Sequence, residues 1–95
     1  MQENKKIFIG KKEILPLARK MRQAGVPLTM IHGYIDEKDG PVISYEYAQG
    51  ELVESYEVRG ENELPSIEPV YDMAAQWPER ELHELIGVVF TGSDT

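Results

Sequence analysis

Two histidines, His32 and His83, and the carboxylates around the second are the side chains of this sequence best suited to chemistry. His83-Glu84-Leu85-Ile86-Gly87 starts as a zinc-protease helix does, but Gly87 stands where that motif needs its second histidine. Glu79 and His83 lie four apart, on one face of a helix, and could share a metal; a complete site would need His32 or further carboxylates to converge on them. In a strand-like run, His32 reads more simply as a packed or half-exposed side chain. Glu79, Glu81 and Glu84 do not all project one way at helical spacing, so a paired-carboxylate acid–base device is unsupported. The absence of cysteine removes thiolate nucleophiles, disulfides, iron–sulfur ligation and cysteine zinc sites together. Glycines are scattered singly, with no phosphate-binding loop, and Ser44, Ser55, Ser66 and Ser93 lack a nucleophile-elbow context. The tyrosines sit mostly at strand-like positions, where cross-strand packing accounts for them. No catalytic residue or metal ligand is therefore expected.

The elements that would position these residues follow from periodicity. Ile14, Leu17, Ala18, Met21 and Ala24 recur at the spacing of one helical face, which predicts a helix over Lys12 to Ala24 with Pro16 in its first turn. Gly25 supplies a left-handed stop and Pro27 prevents resumption. Three strand-like runs come next: Leu28 to Asp36, Pro41 to Tyr47 and Glu51 to Arg59, the last interrupted by Glu54 on its apolar face. Their short glycine-containing connections imply an antiparallel meander, with one face on the helix and the other partly solvated. Ile7-Phe8-Ile9 either adds an edge strand or leads into the helix. Leu64 to Pro69 should be extended and irregular, Val70 to Ala75 a short helix, and Pro78 to Ile86 the last clear helix, closed by Gly87. Val88-Val89-Phe90 reads as an apolar tail and Thr91 to Thr95 as a frayed polar end. The expected fold is α+β: an N-terminal helix on a three- to four-stranded, mainly antiparallel sheet, then an extended proline-containing segment and a short C-terminal helix.

At 95 residues the chain has the length of one domain, so residues 1–95 are taken as one. Charge is segregated along it. Residues 1–22 hold seven basic and two acidic side chains, residues 23–60 two and seven, and residues 61–95 one and eight. The basic end is short and falls largely on the solvated face of one helix, so nucleic-acid binding is not expected. Such separation suits docking on a protein with opposite patches, and equally plain solubility. The N-terminus has no signal-peptide apolar region, and no apolar run approaches the roughly 20 residues that span a bilayer. A cytoplasmic protein is expected, with any membrane association indirect, through partner subunits.

Good helix design explains much of Trp77 to Gly87. Pro78 suits a first helical position, Glu79 and Glu81 the positive end of the dipole, and Arg80 and Glu84 an i,i+4 pair. Leu82, Leu85 and Ile86 would form the core face. The wider run has a more specific content. Pro65, Ser66 and Ile67; Ala75 and Trp77; Glu79, Arg80 and Glu81; Glu84; Leu85, Ile86 and Gly87; then Phe90 and Gly92 resemble a known family signature. It is that of the complex I 30 kDa subunit family, from respiratory-chain NADH dehydrogenase, and of its energy-converting hydrogenase relatives. The resemblance is specific over residues 64–92. Where that family continues with His-Pro and an arginine-rich segment, this sequence closes on Ser93-Asp94-Thr95. That favours a short hydrogenase-type relative or a domain excised from a longer subunit.

The resemblance implies a scaffold that binds no cofactor and docks on the large subunit of a complex I-like or nickel–iron hydrogenase-like complex. Trp77, Glu79, Arg80, Glu81 and Glu84 are the candidate contacts, since tryptophan and arginine are favoured at interface hot spots. Two readings stay open beside it for particular residues. Trp77 equally suits a core anchor, and Arg80 a pair with Glu81 or Glu84 that locks helix to sheet. For the whole chain, the alternatives are a freestanding module binding a small ligand or peptide on its sheet and a weak metal-dependent hydrolase.

Overall fold

The computed structural model describes residues 3–92. The apolar stripe of the first helix closes as its spacing predicts. A 3₁₀ turn at Lys11–Glu13 leads into α1, Ile14–Gln23, which buries Ile14, Ala18 and Met21. At its end Gly25 takes φ 73°, its N–H donates to the Arg22 carbonyl, and the Val26 N–H reaches back to the Met21 carbonyl at 2.9 Å. That pair of bonds is a Schellman motif, which satisfies carbonyls that the helix leaves open.

The three β-rich runs form β2 (Leu28–Asp36), β3 (Gly40–Gln49) and β4 (Leu52–Arg59), paired antiparallel in series. In the β2–β3 turn the Asp36 carboxylate accepts from the Lys38 and Asp39 N–H groups. β1, Glu3–Phe8, lies beside β4 and parallel to it, so the sheet is mixed, in the order β1-β4-β3-β2. Ile7-Phe8-Ile9 thus resolves as part of an edge strand. The chain leaves β1, passes through α1 and returns at the opposite edge as β2.

Register divides the sheet into two faces. One carries Leu28, Ile31, Ile43, Tyr45, Tyr47, Tyr56 and Val58, which share one core with Ile14, Ala18 and Met21 of α1. Tyr47 is the centre of the aromatic packing, with ring centroids 5.9 Å from both Tyr56 and Tyr71. Glu54, the break in the apolar pattern of β4, lies on this face and accepts a 2.6 Å hydrogen bond from Gln49. The other face carries Lys6, Phe8, His32, Tyr34, Glu46, Glu57 and Arg59, tied by ion pairs described below.

The last third departs from its expected boundaries. Glu63–Pro65 is a short strand, β5, which pairs in parallel with β6, Val89–Thr91; the apolar tail is thus a strand. Residues Ser93–Thr95, the rest of the expected frayed end, lie outside the described residues. Pro69 falls in a one-turn helix, α2 (Glu68–Tyr71), so the irregular stretch is shorter than expected. α3 spans Met73–Ile86, five residues longer at its start than Pro78 suggested. Pro78 is therefore interior to the helix, where it cannot donate to the Ala74 carbonyl, and Ala74 is exposed to solvent. The earlier start is fixed by Asp72, whose carbonyl accepts from the Ala75 and Gln76 N–H groups at 3.1 and 3.0 Å. Asp72 itself adopts φ 52°, separating α2 from α3.

Gly33 of β2 sets the closeness of α3 to the sheet. A Cβ built there would lie 2.7 Å from the Val42 carbonyl oxygen and 3.3 Å from a Leu82 methyl group. The Val42 carbonyl, with an Ile43 methyl group equally close, excludes a side chain here, and Leu82 makes the fit tighter still.

Candidate functional site

Position along α3 decides where each candidate side chain points. Ala75, Glu79 and Leu82 are buried, at the spacing of an inward stripe. Glu79 thus occupies a place where an apolar residue is normally found, and is only 4% exposed. Burial pushes its carboxyl pKa up, the Ser66 and Ile67 hydrogen bonds oppose that shift, and the nearby Glu68 adds to it. The bonds are short and specific: the Ser66 hydroxyl donates to Oε1 at 2.6 Å and the Ile67 N–H to Oε2 at 2.8 Å. Ser66 Oγ in turn accepts from the Glu68 N–H. One carboxylate therefore bolts α3 to the turn between β5 and α2. Beside this cluster the Tyr45 hydroxyl is buried without a hydrogen-bond partner among the described residues. Burial, and then the Glu79 charge, push that phenol far above its ordinary range.

This corrects the expectation that Glu79 faces a partner, because its oxygens are spent inside the chain. Leu85 is corrected in the opposite sense: placed by pattern in the core face, it is 71% exposed. Trp77 is 64% exposed, so it is not a core anchor. Arg80 pairs with Glu84 at 3.6 Å, but both side chains project into solvent and the pair does not lock helix to sheet. Glu81 lies one step round the helix, toward β2, with Pro78 and Leu85. The five candidate residues thus point three ways: Trp77, Arg80 and Glu84 outward with Met73, Glu81 toward the sheet edge, and Glu79 inward.

A shallow depression flanks α3 on each side. Toward β6, one of about 440 Å³ is lined by Gln76, Glu79, Arg80 and His83 with Glu68 and Phe90. Toward β2, one of about 350 Å³ runs along the strand from Thr29 to Gly33 beneath Pro78, Glu81 and Leu85. Glu79 and His83 line the first together, but His83 Nδ1 is engaged with the Val88 carbonyl at 3.0 Å. His32 is elsewhere, on the far face of the sheet, 3.2 Å from Glu46. The three potential ligands do not converge, and no group of three metal-ligating side chains is assembled among the described residues.

Reading the sequence alone missed the cluster on that far face. Glu57 is 2% exposed although no helix covers it. Lys6 Nζ lies 3.3 Å from one of its oxygens and an Arg59 nitrogen 2.7 Å from the other. At these distances the hold is that of charge, with the Arg59 contact short enough to be charge-assisted. Arg59 also pairs with Asp39 at 2.9 Å and lies over the Phe8 ring. The one available signal was Arg59 itself, the single arginine of the strand region.

Comparison with known proteins bears on the family and the fold. A family model described as respiratory-chain NADH dehydrogenase, 30 Kd subunit, matches residues 7–95. None of the curated proteins gives a significant match. The fold is similar to that of a chain in the membrane-bound sulfane sulfur reductase, an archaeal respiratory membrane complex, with TM-score 0.83 at 19% identity. The alignment covers 99% of this chain and 60% of that one, so the present chain spans less than two thirds of its neighbour's length.

Proposed function

The chain belongs to the family of the 30 kDa subunit of respiratory-chain NADH dehydrogenase, and from that premise we propose that it is a non-catalytic scaffold subunit, or a domain of one. The assembly is a complex I-like or membrane-associated hydrogenase complex, and the partner is the large subunit of its electron-transfer arm. The contact is the outward stripe of α3: Met73, Trp77, Arg80 and Glu84. Residues 1–95 act in this reading as one domain.

The exposure of Trp77 carries the reading. A tryptophan contributes most at an interface when it is withdrawn from water, and isolated ones on a free surface serve no folding purpose. Here the inward stripe of α3 is already filled and its buried carboxylate satisfied, which leaves Met73 and Trp77 for something outside the chain. No helix among the described residues is long and apolar enough to cross a membrane; membrane attachment through partner subunits is part of the proposal.

Affinity purification of the tagged chain from its native membranes tests this. A large subunit of either type is expected to co-purify, and Trp77→Ala is expected to lower its recovery at least tenfold with an unchanged circular dichroism spectrum. Wild-type protein that brings down neither kind of large subunit sinks the proposal.

A further inference from the structure

The two edges of the four-stranded sheet are built differently. β1 carries Lys5 and Lys6, both exposed, and charged side chains of this kind are how proteins keep an edge from pairing with a foreign strand. β2 has neither lysine, arginine nor proline over Leu28–Asp36, and three of its large apolar side chains, Met30, Tyr34 and Ile35, are about half exposed. Its one irregularity is a register shift between Leu28 and Met30; from Met30 to Asp36 it pairs with β3 without interruption. Its other side pairs with no strand among the described residues. From Met30 to Asp36 this edge carries no lysine, arginine or proline, and beside α3 it presents a row of backbone donors and acceptors that water or an added extended chain can satisfy.

The depression between β2 and α3 adds side-chain character to that edge. Pro78, Leu82 and Leu85 give it an apolar wall, and Glu81 stands at its rim. The Glu81 side chain has no hydrogen-bond or ion-pair partner among the described residues, and the lining contains no lysine or arginine.

We propose that the free edge of β2 receives an extended segment of a partner polypeptide as a fifth strand. The segment places alternate apolar side chains against Leu82, Leu85 and Pro78, and a lysine or arginine beside Glu81. Backbone pairing along Met30–Asp36 supplies the affinity and the alternating pockets the selectivity, as in strand addition generally. The contact is about 20 Å long at the rise of a β-strand. A second copy of this chain is a poor occupant, since it would bring another acidic rim and another net charge of −7. The inference rests on the reading of the chain as an assembly subunit and names a second element of its interface, separate from Trp77.

The chain has no cysteine, so Met30→Cys creates a unique thiol for a benzophenone maleimide. Photocrosslinking in the assembled complex is expected to join position 30 to one partner peptide with alternating apolar residues and a lysine or arginine. Amide hydrogen exchange over residues 30–36 should slow at least tenfold on assembly. A Met30→Lys/Leu85→Lys variant should lose at least tenfold in partner recovery while its melting temperature stays at the wild-type value. If that variant recovers the partner normally while Trp77→Ala does not, the scaffold reading stands and the strand-addition proposal is overturned. Unchanged exchange over residues 30–36, or a crosslink to a second copy of the chain, overturns it as well. If the wild-type chain brings down no partner, both readings fail together.

Discussion

Two carboxylates are withdrawn from water in this molecule by opposite means. Glu57, on the open face of the sheet, is held between the cations of Lys6 and Arg59, at 3.3 and 2.7 Å. Glu79, under α3, meets no cation among the described residues and is held by a hydroxyl and a backbone N–H. The first arrangement relies on charge and tolerates movement, because coulombic attraction is weakly directional. The second relies on direction, because a hydrogen bond weakens steeply off axis. Glu79 therefore fixes the seat of α3, the helix offered here as the docking element, whereas Glu57 fixes only the company its own sheet face keeps.

If direction matters more than charge, removing the directional group should cost most. Glu79→Ala leaves the Ser66 O–H and the Ile67 N–H buried without acceptors and opens a void. At about 1–3 kcal/mol per orphaned group, the expected loss is about 3–4 kcal/mol in urea denaturation. Glu79→Gln keeps an acceptor for Ile67 and should cost clearly less. Equal losses from the two variants would mean that the charge, not the geometry, holds the helix.

The next effect concerns the open face, and its prediction is one of order. Arg59→Gln strands the buried Glu57 with Lys6 alone, whereas Glu57→Gln strands only cations that reach solvent. The arginine variant should therefore have the lower melting temperature. The double variant should recover part of the loss, a coupling that a thermal double-mutant cycle reads directly. Additive losses would reduce the cluster to separate surface pairs.

The contrast also explains what the sequence could and could not disclose. α1 and the three meander strands rest on local periodicity, and their boundaries lie within a few residues of expectation. Gly25 carried its own signal. The parallel seat of β1 beside β4 depends on residues some fifty positions apart and has no local signature. Pro78 misled, because proline is favoured at a helix start and no rule of pattern places Asp72 at φ 52° as the true beginning. Leu85 was assigned to the core by spacing, but burial on α3 turns with Ala75, Glu79 and Leu82, and that stripe contains a glutamate. Its partners, Ser66 and Ile67, lie 13 and 12 residues upstream, so only the fold discloses why a charge belongs there. The family signature contained Ser66, Ile67 and Glu79 together without stating that they touch.

Asp72→Gly should raise stability slightly, by about 1 kcal/mol, since a non-glycine residue at φ 52°, ψ −128° carries strain that glycine does not. No gain in the urea midpoint would show that the Asp72 side chain compensates for its backbone.

The smallest expected effect is the pH dependence that Glu79 confers. The pKa of Glu79 is raised above its ordinary value of 4.5 in the folded chain. Between the unfolded pKa and the folded one, the folded state holds a proton that the unfolded state has released. Stability from this group is thus fully present below about pH 4.5 and declines as pH rises through the folded pKa, beyond which it is level. The hydrogen bonds from Ser66 and Ile67 offset part of the burial, which keeps the slope shallow. Subtracting the Glu79→Gln stability curve from that of the wild type should isolate a decline with rising pH in that window. A difference that instead rose with pH would mean that the donors outweigh desolvation, and that Glu79 is held chiefly as an anion.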